Sequence, residues 1–77
     1  MKKYNLWIGE DLHHAICLRR DLSTEEDAYA AMVEQRRISF PQHKWYTRMW
    51  KDPEYVTHID FGSHHYFFFI QEREVEE

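Results

Sequence analysis

The sequence predicts a two-layer α+β domain in which two helices pack on one face of an antiparallel four-stranded sheet, in the order ββααββ. Three observations lead to this fold class. Apolar and polar residues alternate near both ends of the chain, which is the period of β-strands. A helix-capping pattern begins at Ser23, and Pro41 separates the first helix from a second apolar-periodic stretch. No repeat or linker divides the chain, so we expect a single domain over residues 1–71.

The first two apolar-rich runs of the sequence predict a β-hairpin. Residues 3–9 form an apolar-rich run, and residues 12–19 alternate between two faces, with Leu12 and Ile16 on one of them. The turn signal between the runs is Gly9-Glu10-Asp11.

The central part of the chain predicts two helices. Ser23 and Glu26 match a capping box, which places the first helix over residues 24–37. Pro41 suits the first turn of a second helix over residues 41–51, since proline is favoured there. In that stretch, the pairs Trp45/Met49 and Tyr46/Trp50 are spaced four residues apart, which is typical of helix faces.

The last two strands are predicted over residues 55–61 and 64–71. Gly62-Ser63 between them suits a two-residue type II′ turn, which would set Asp60 opposite His65 and His58 opposite Phe67. Because four of the six residues in 72–77 are acidic, we expect them to fray as a tail.

This register predicts an apolar surface on the sheet face that points away from the helices. Its members are Trp7, Val56, Phe67 and Phe69. A cluster of this kind in open water favours a partner, and a two-fold homodimer is the commonest one. The alternative is that the tail or a loop covers these rings within one chain.

A basic strip interrupts a chain whose net charge is −4. Between residues 35 and 51 there are five basic residues and no acidic one. The five are Arg36, Arg37, Lys44, Arg48 and Lys51. Cations interleaved with aromatic residues can contact an acidic protein or, less favourably in an acidic chain, nucleic acid. The alternative is that the rings are core and the cations form a solvated helix face.

The histidine-rich segment near the final turn is the place where chemistry is most plausible. His58, Asp60 and His65 are predicted to share the outward face, so they are the candidate metal ligands and the candidate catalytic residues. Asp60 opposite His65 is equally an ordinary cross-strand ion pair. Cys17 is the one cysteine, and nothing beside it in the sequence marks it as an activated nucleophile.

The remaining features favour binding over catalysis. Two glycines cannot build a phosphate-binding loop, and no cofactor is expected. The start of the chain does not match a signal peptide, and the longest apolar run is too short to span a membrane. With a single cysteine, these features predict a cytoplasmic, self-associating binding module.

Overall fold

A computed structural model of the chain describes residues 1–41, 48–54, 56–63 and 65–75. These residues form five strands, one α-helix and one short 3₁₀ helix. The strands are β1 (Lys2–Gly9), β2 (Ile16–Leu22), β3 (Arg48–Lys51), β4 (Val56–Asp60) and β5 (Phe67–Glu74), the helix is α1 (Glu25–Ser39), and the 3₁₀ helix is Leu12–His14. One sheet contains all five strands in the order β2-β1-β5-β4-β3, with every neighbouring pair antiparallel.

The predicted fold class is therefore wrong in its elements, although an antiparallel sheet with a helix against it is still α+β. The sheet has five strands instead of four, and the described residues contain one α-helix instead of two. The predicted second helix is the source of the error: residues 48–51 are β3, and residues 42–47 lie outside the described part of the chain. Apolar residues spaced four apart share a face in a helix and equally in a strand, because four is a multiple of two.

Helix α1 begins one residue later than the capping-box interpretation implies. The Thr24 hydroxyl accepts a hydrogen bond from the Asp27 amide at 3.0 Å, so Thr24 is the N-cap and not Ser23. Glu25, Glu26 and Asp27 in the first turn place negative charge at the positive end of the helix dipole. Ala28 and Met32 then point from α1 into the core.

The first hairpin contains a 3₁₀ turn that the alternation pattern did not predict. The Asp11 carboxylate accepts a hydrogen bond from the His14 amide at 3.0 Å, which holds residues 12–14 in a helical turn before β2 begins at Ile16. Gly9 permits this geometry, because a Cβ atom there would lie 2.6 Å from the Ala15 Cα.

The final hairpin has a longer connection than the predicted two-residue turn. β4 ends at Asp60 and β5 begins at Phe67, so His58 pairs with Phe69 and not with Phe67. The Asp60 carboxylate accepts from the Gly62 amide at 3.0 Å, and Gly62 has a φ of 95°, a conformation that favours glycine. The register error is two residues, so the side chains that lie in β4 and β5 keep their predicted faces, whereas His65 and Tyr66 fall in the connection.

One face of the sheet packs against α1 and forms the core. The buried cluster comprises Leu6, Ala28, Met32, Ile59, Phe61, Phe68 and Ile70. β5 also continues past the predicted end of the domain, since Glu72 and Arg73 pair with Tyr4 and Lys3 on β1. Residues 72–74 of the predicted tail therefore belong to the sheet, and residues 76–77 lie outside the described residues.

Candidate functional site

The face of the sheet opposite α1, here called the outer face, carries a row of side chains that crosses all five strands. Cross-strand partners share a face. The register runs through Cys17, Trp7, Phe69, His58 and Trp50, one residue from each of β2, β1, β5, β4 and β3. Two of the five side chains are indoles, one is a phenyl ring and one is an imidazole. The row therefore brings aromatic side chains from four of the five strands onto one face of the sheet.

The predicted self-association residues all lie on the outer face, but they are not equally accessible. Trp7 and Phe67 are half-buried, whereas Val56 and Phe69 are each only 3% exposed. Neighbours within the same chain cover much of this surface. The indole of Trp7 also donates a hydrogen bond to the Gln71 side chain at 3.2 Å, which fixes the ring against the sheet.

Trp50, which the sequence interpretation assigned to a helix, lies in β3 and on the outer face. Its indole ring is stacked on the His58 imidazole, with centroids 5.3 Å apart and planes 4° apart, and 41% of the residue is exposed. Phe69 and His58 are also in an edge-to-face contact, with ring centroids 5.2 Å apart and planes 79° apart. The guanidinium of Arg48 also lies over the Trp50 ring, at 5.5 Å from its centroid.

A groove of about 170 Å³ crosses this cluster. Phe67 and Phe69 on the central strand β5 lie between the β1–β2 connection and the Trp50–His58 stack. The lining residues are Glu10, Asp11, Leu12, Trp50, His58, Phe67 and Phe69. The groove thus combines aromatic rings with two carboxylates, a composition that suits cations.

His58 is paired with a carboxylate that the sequence interpretation did not select. Its ring nitrogen Nε2 lies 2.7 Å from Asp52 Oδ2, while Asp52 Oδ1 accepts from the amides of Glu54 and Val56 at 2.9 and 3.2 Å. The bond from His58 holds the pKa of the Asp52 carboxyl below its ordinary value; partial desolvation opposes this effect and the two amides add to it. Asp52 therefore organises the β3–β4 turn as well as the histidine.

The structure divides the predicted trio of His58, Asp60 and His65. Asp60 contacts Arg48, with 3.5 Å between Oδ2 and the guanidinium, and the exposed His65 lies in the β4–β5 connection, where its amide donates to Ser63. Within residues 1–41, 48–54, 56–63 and 65–75, no three histidine, cysteine or acidic side chains are grouped so that they could hold a metal ion.

The His58–Asp52 pair has the arrangement of a general base and its orienting carboxylate, but Cys17 is not placed to be its nucleophile. Cys17 lies three strand positions away from His58, which is roughly 14 Å at about 4.8 Å per strand. Its thiol donates instead to the Arg19 carbonyl at 3.3 Å.

The predicted basic strip is not a surface of unpaired cations. Arg36 is only 7% exposed, and Lys44 lies outside the described residues. Each of the other three contacts a carboxylate: Arg37 with Glu34 at 2.7 Å, Arg48 with Asp60 at 3.5 Å, and Lys51 with Glu25 at 3.9 Å. These contacts reduce the positive field that an anionic partner would meet.

A second, larger concavity of about 490 Å³ lies on the opposite side, between α1 and the β1–β2 hairpin. Ile16 and Tyr66 line it and are 69% and 44% exposed. This helix-side cavity is a competing apolar surface and supplies control positions for tests of the outer face.

Comparison of the chain with protein-family models, with curated proteins and with solved structures gave no match. Among the described residues, no helix has both the length and the apolar character needed to cross a membrane. Arguments about function therefore rest on the outer face and its groove.

Proposed function

We propose that this chain is a non-enzymatic binding module that associates with a second copy of itself through the outer face. The observation that carries the proposal is the aromatic row through Trp7, Phe69 and Trp50, on the side of the sheet away from α1. A few residues carry most of the binding energy in protein interfaces, and tryptophan, tyrosine and arginine are enriched among them. Isologous dimers use one patch twice.

The dimensions of the molecule suit such an interface. A standard interface buries roughly 800 Å² per partner, and the two longer extents of the molecule, 41 and 22 Å, leave room for a patch of that size. Two sheets packed face to face would lie about 10 Å apart, which is close enough for the half-exposed rings of Trp7 and Phe67 to contact the second copy. Burial of these half-exposed rings is the driving force that we expect.

The test is the oligomeric mass of the untagged chain across a concentration series, by native mass spectrometry and light scattering. The chain mass is 9.6 kDa, so we expect a species of twice that mass whose fraction rises with concentration. Trp7→Glu and, separately, Trp50→Glu place a charge in the aromatic row and should raise the dimer Kd by at least about tenfold, a loss of about 1.4 kcal/mol or more.

The matched control is Ile16→Glu, which introduces the same charge on β2 at an exposed position of the helix-side cavity. It should leave the dimer Kd unchanged, and far-UV circular dichroism should show all three variants folded. A wild-type chain that is monomeric up to about 100 µM would contradict the proposal. A dimer that only Ile16→Glu dissociates would place the interface on the wrong side of the molecule.

A further inference from the structure

The outer face has opposite charges at its two ends. Lys3 on β1 pairs with Arg73 on β5, and their positions along the strands put both side chains on the same side as Trp7 and Phe69. At the far end of the same two strands, Gly9 pairs with Phe67, beside the groove and its carboxylates Glu10 and Asp11. The two ends are six residues apart, or about 20 Å.

Other charged groups reduce this difference in charge between the two ends without removing it. Arg73 has a long contact with Asp21, at 3.8 Å, and its side chain is still 48% exposed. Asp11 is engaged by the His14 ring at 2.9 Å, and Asp60 near the groove contacts Arg48. Glu10 has no ion pair among the described residues and is exposed, so it leaves net negative charge at the groove.

Two sheets that pack face to face about a two-fold axis, with their strands roughly aligned, can be arranged in two ways. If the axis runs along the strands, the two basic ends meet and repel each other. If the axis runs across the strands at the level of Leu6 and Ile70, each basic end meets the groove of the other copy. In the second arrangement β5 lies over β5 in reverse direction, so that position 73 of one copy lies above position 67 of the other.

Aromatic rings and carboxylates together form a good receptor for a guanidinium, which stacks on the rings and pairs with the acids. The molecule already contains one such contact in the same cluster, since Arg48 lies over Trp50 and pairs with Asp60. The second arrangement would supply each groove with the guanidinium of Arg73.

We propose that the outer face dimerises about a two-fold axis that runs across the strands, and that the groove of each copy receives Arg73 of the other, next to Glu10. This inference rests on the proposed self-association through the outer face and adds its orientation and its specific contact. Lys3 of the second copy then lies above Gly9, where it reinforces the attraction to Glu10.

The experiment is a charge-swap cycle, with the dimer Kd measured by sedimentation equilibrium. Arg73→Glu and Glu10→Lys should each weaken the dimer by about tenfold or more, because each places like charges together at the groove. The double variant Arg73→Glu/Glu10→Lys restores opposite charges and should return the Kd to within about threefold of wild type. Arg73→Gln, which keeps the length of the side chain, should weaken the dimer less than Arg73→Glu.

The control is Lys2→Glu, which makes the same change in net charge at the same end of β1 but on the face that packs against α1. It should change the dimer Kd by less than about threefold. If the two single variants weaken the dimer and the double variant does not recover, the contact between Arg73 and the groove is refuted. If Trp7→Glu still dissociates the dimer in that case, the proposed function survives and only its orientation is wrong.

Discussion

Asp52 connects three parts of the β3–β4 hairpin through a single carboxylate. One oxygen accepts the amides of Glu54 and Val56, and the other contacts the His58 ring, which is in turn stacked on Trp50. The sequence interpretation ended its second helix at residue 51 and gave Asp52 no role, so it grouped His58 and His65 with Asp60 instead. Side-chain hydrogen bonds of this kind depend on which turn forms, and the pattern of residue types does not specify the turn.

The depressed pKa of Asp52 predicts a pH dependence of stability. The ordinary pKa of an aspartate carboxyl, which we take for the unfolded state, is 3.8, and the pKa of Asp52 in the folded state is lower. Such a group stabilises the fold at pH values above the unfolded-state pKa. That stability is lost as the pH falls from about 4 through the lower pKa of the folded state. Asp52→Asn should therefore reduce the loss of stability between about pH 4 and pH 2, as measured by urea unfolding at each pH.

A second carboxyl serves as an internal control for this measurement. The pKa of Asp11 is also lowered, mainly by its hydrogen bond with the His14 side chain. Asp11→Asn should remove a separate part of the acid dependence, and the double variant should show both effects together because the two sites share no partner. An Asp52→Asn profile that follows the wild type throughout this range would mean that the His58 contact does not persist in solution.

At the scale of helices and strands, local sequence patterns predicted the start of α1 to within one residue but did not predict β3. The helix-start signal correctly predicted α1 but placed its cap one residue early, because Ser23 and Thr24 are both good caps and each is followed three residues later by an acid. β3 was missed because its pairing with β4 is a tertiary contact. The predicted faces of the residues in β4 and β5 are correct although the predicted turn between them is wrong, since a shift of two residues preserves the alternation.

The capping of α1 can be tested by comparing two adjacent hydroxyl residues. Thr24→Ala removes the acceptor of the Asp27 amide and should lower the free energy of unfolding by about 1 kcal/mol. Ser23→Ala removes an exposed hydroxyl and should change it by less than about 0.5 kcal/mol. The free energies of unfolding of the two variants are measured by urea denaturation. A larger loss for Ser23→Ala than for Thr24→Ala would mean that Ser23 is the N-cap, as the capping box predicts.

For the molecule as a whole, the sequence predicted the two faces of the sheet more accurately than the number of helices and strands. Leu6, Ile59, Phe68 and Ile70 alternate along their strands with the outer-face residues, and they are buried in the core that includes Ala28 and Met32 of α1. The outer aromatic residues were also identified, but not Trp50, whose place depends on β3. Hydrophobic periodicity encodes the two sides of a sheet locally, whereas the order of its strands depends on contacts between distant segments.

The topology makes a further prediction about which parts of the sheet open first. β5 is paired on both sides, with β1 and β4, and carries Phe68 and Ile70 in the core. β3 is an edge strand of four exposed residues, paired in the described chain with β4 alone. Amides of β5 should therefore exchange with deuterium most slowly and those of β3 fastest, because local opening of an exposed edge costs little free energy.

Hydrogen exchange measured above and below the dimer Kd then separates the proposed interface from the commonest alternative for a sheet. A face-to-face dimer leaves the outer edges of β2 and β3, the two edge strands among the described residues, open to solvent, so their edge amides should stay fast at high concentration. A dimer formed by strand addition through either edge would instead slow the amides of that strand, because each edge amide would gain a backbone partner. An edge-to-edge dimer through β3 would also set Arg48 opposite Lys51 of the second copy, since antiparallel pairing centred on Met49 and Trp50 brings these like charges together. Fast edge exchange of both β2 and β3 in a dimer that Trp7→Glu dissociates is the combined result that only the outer face predicts.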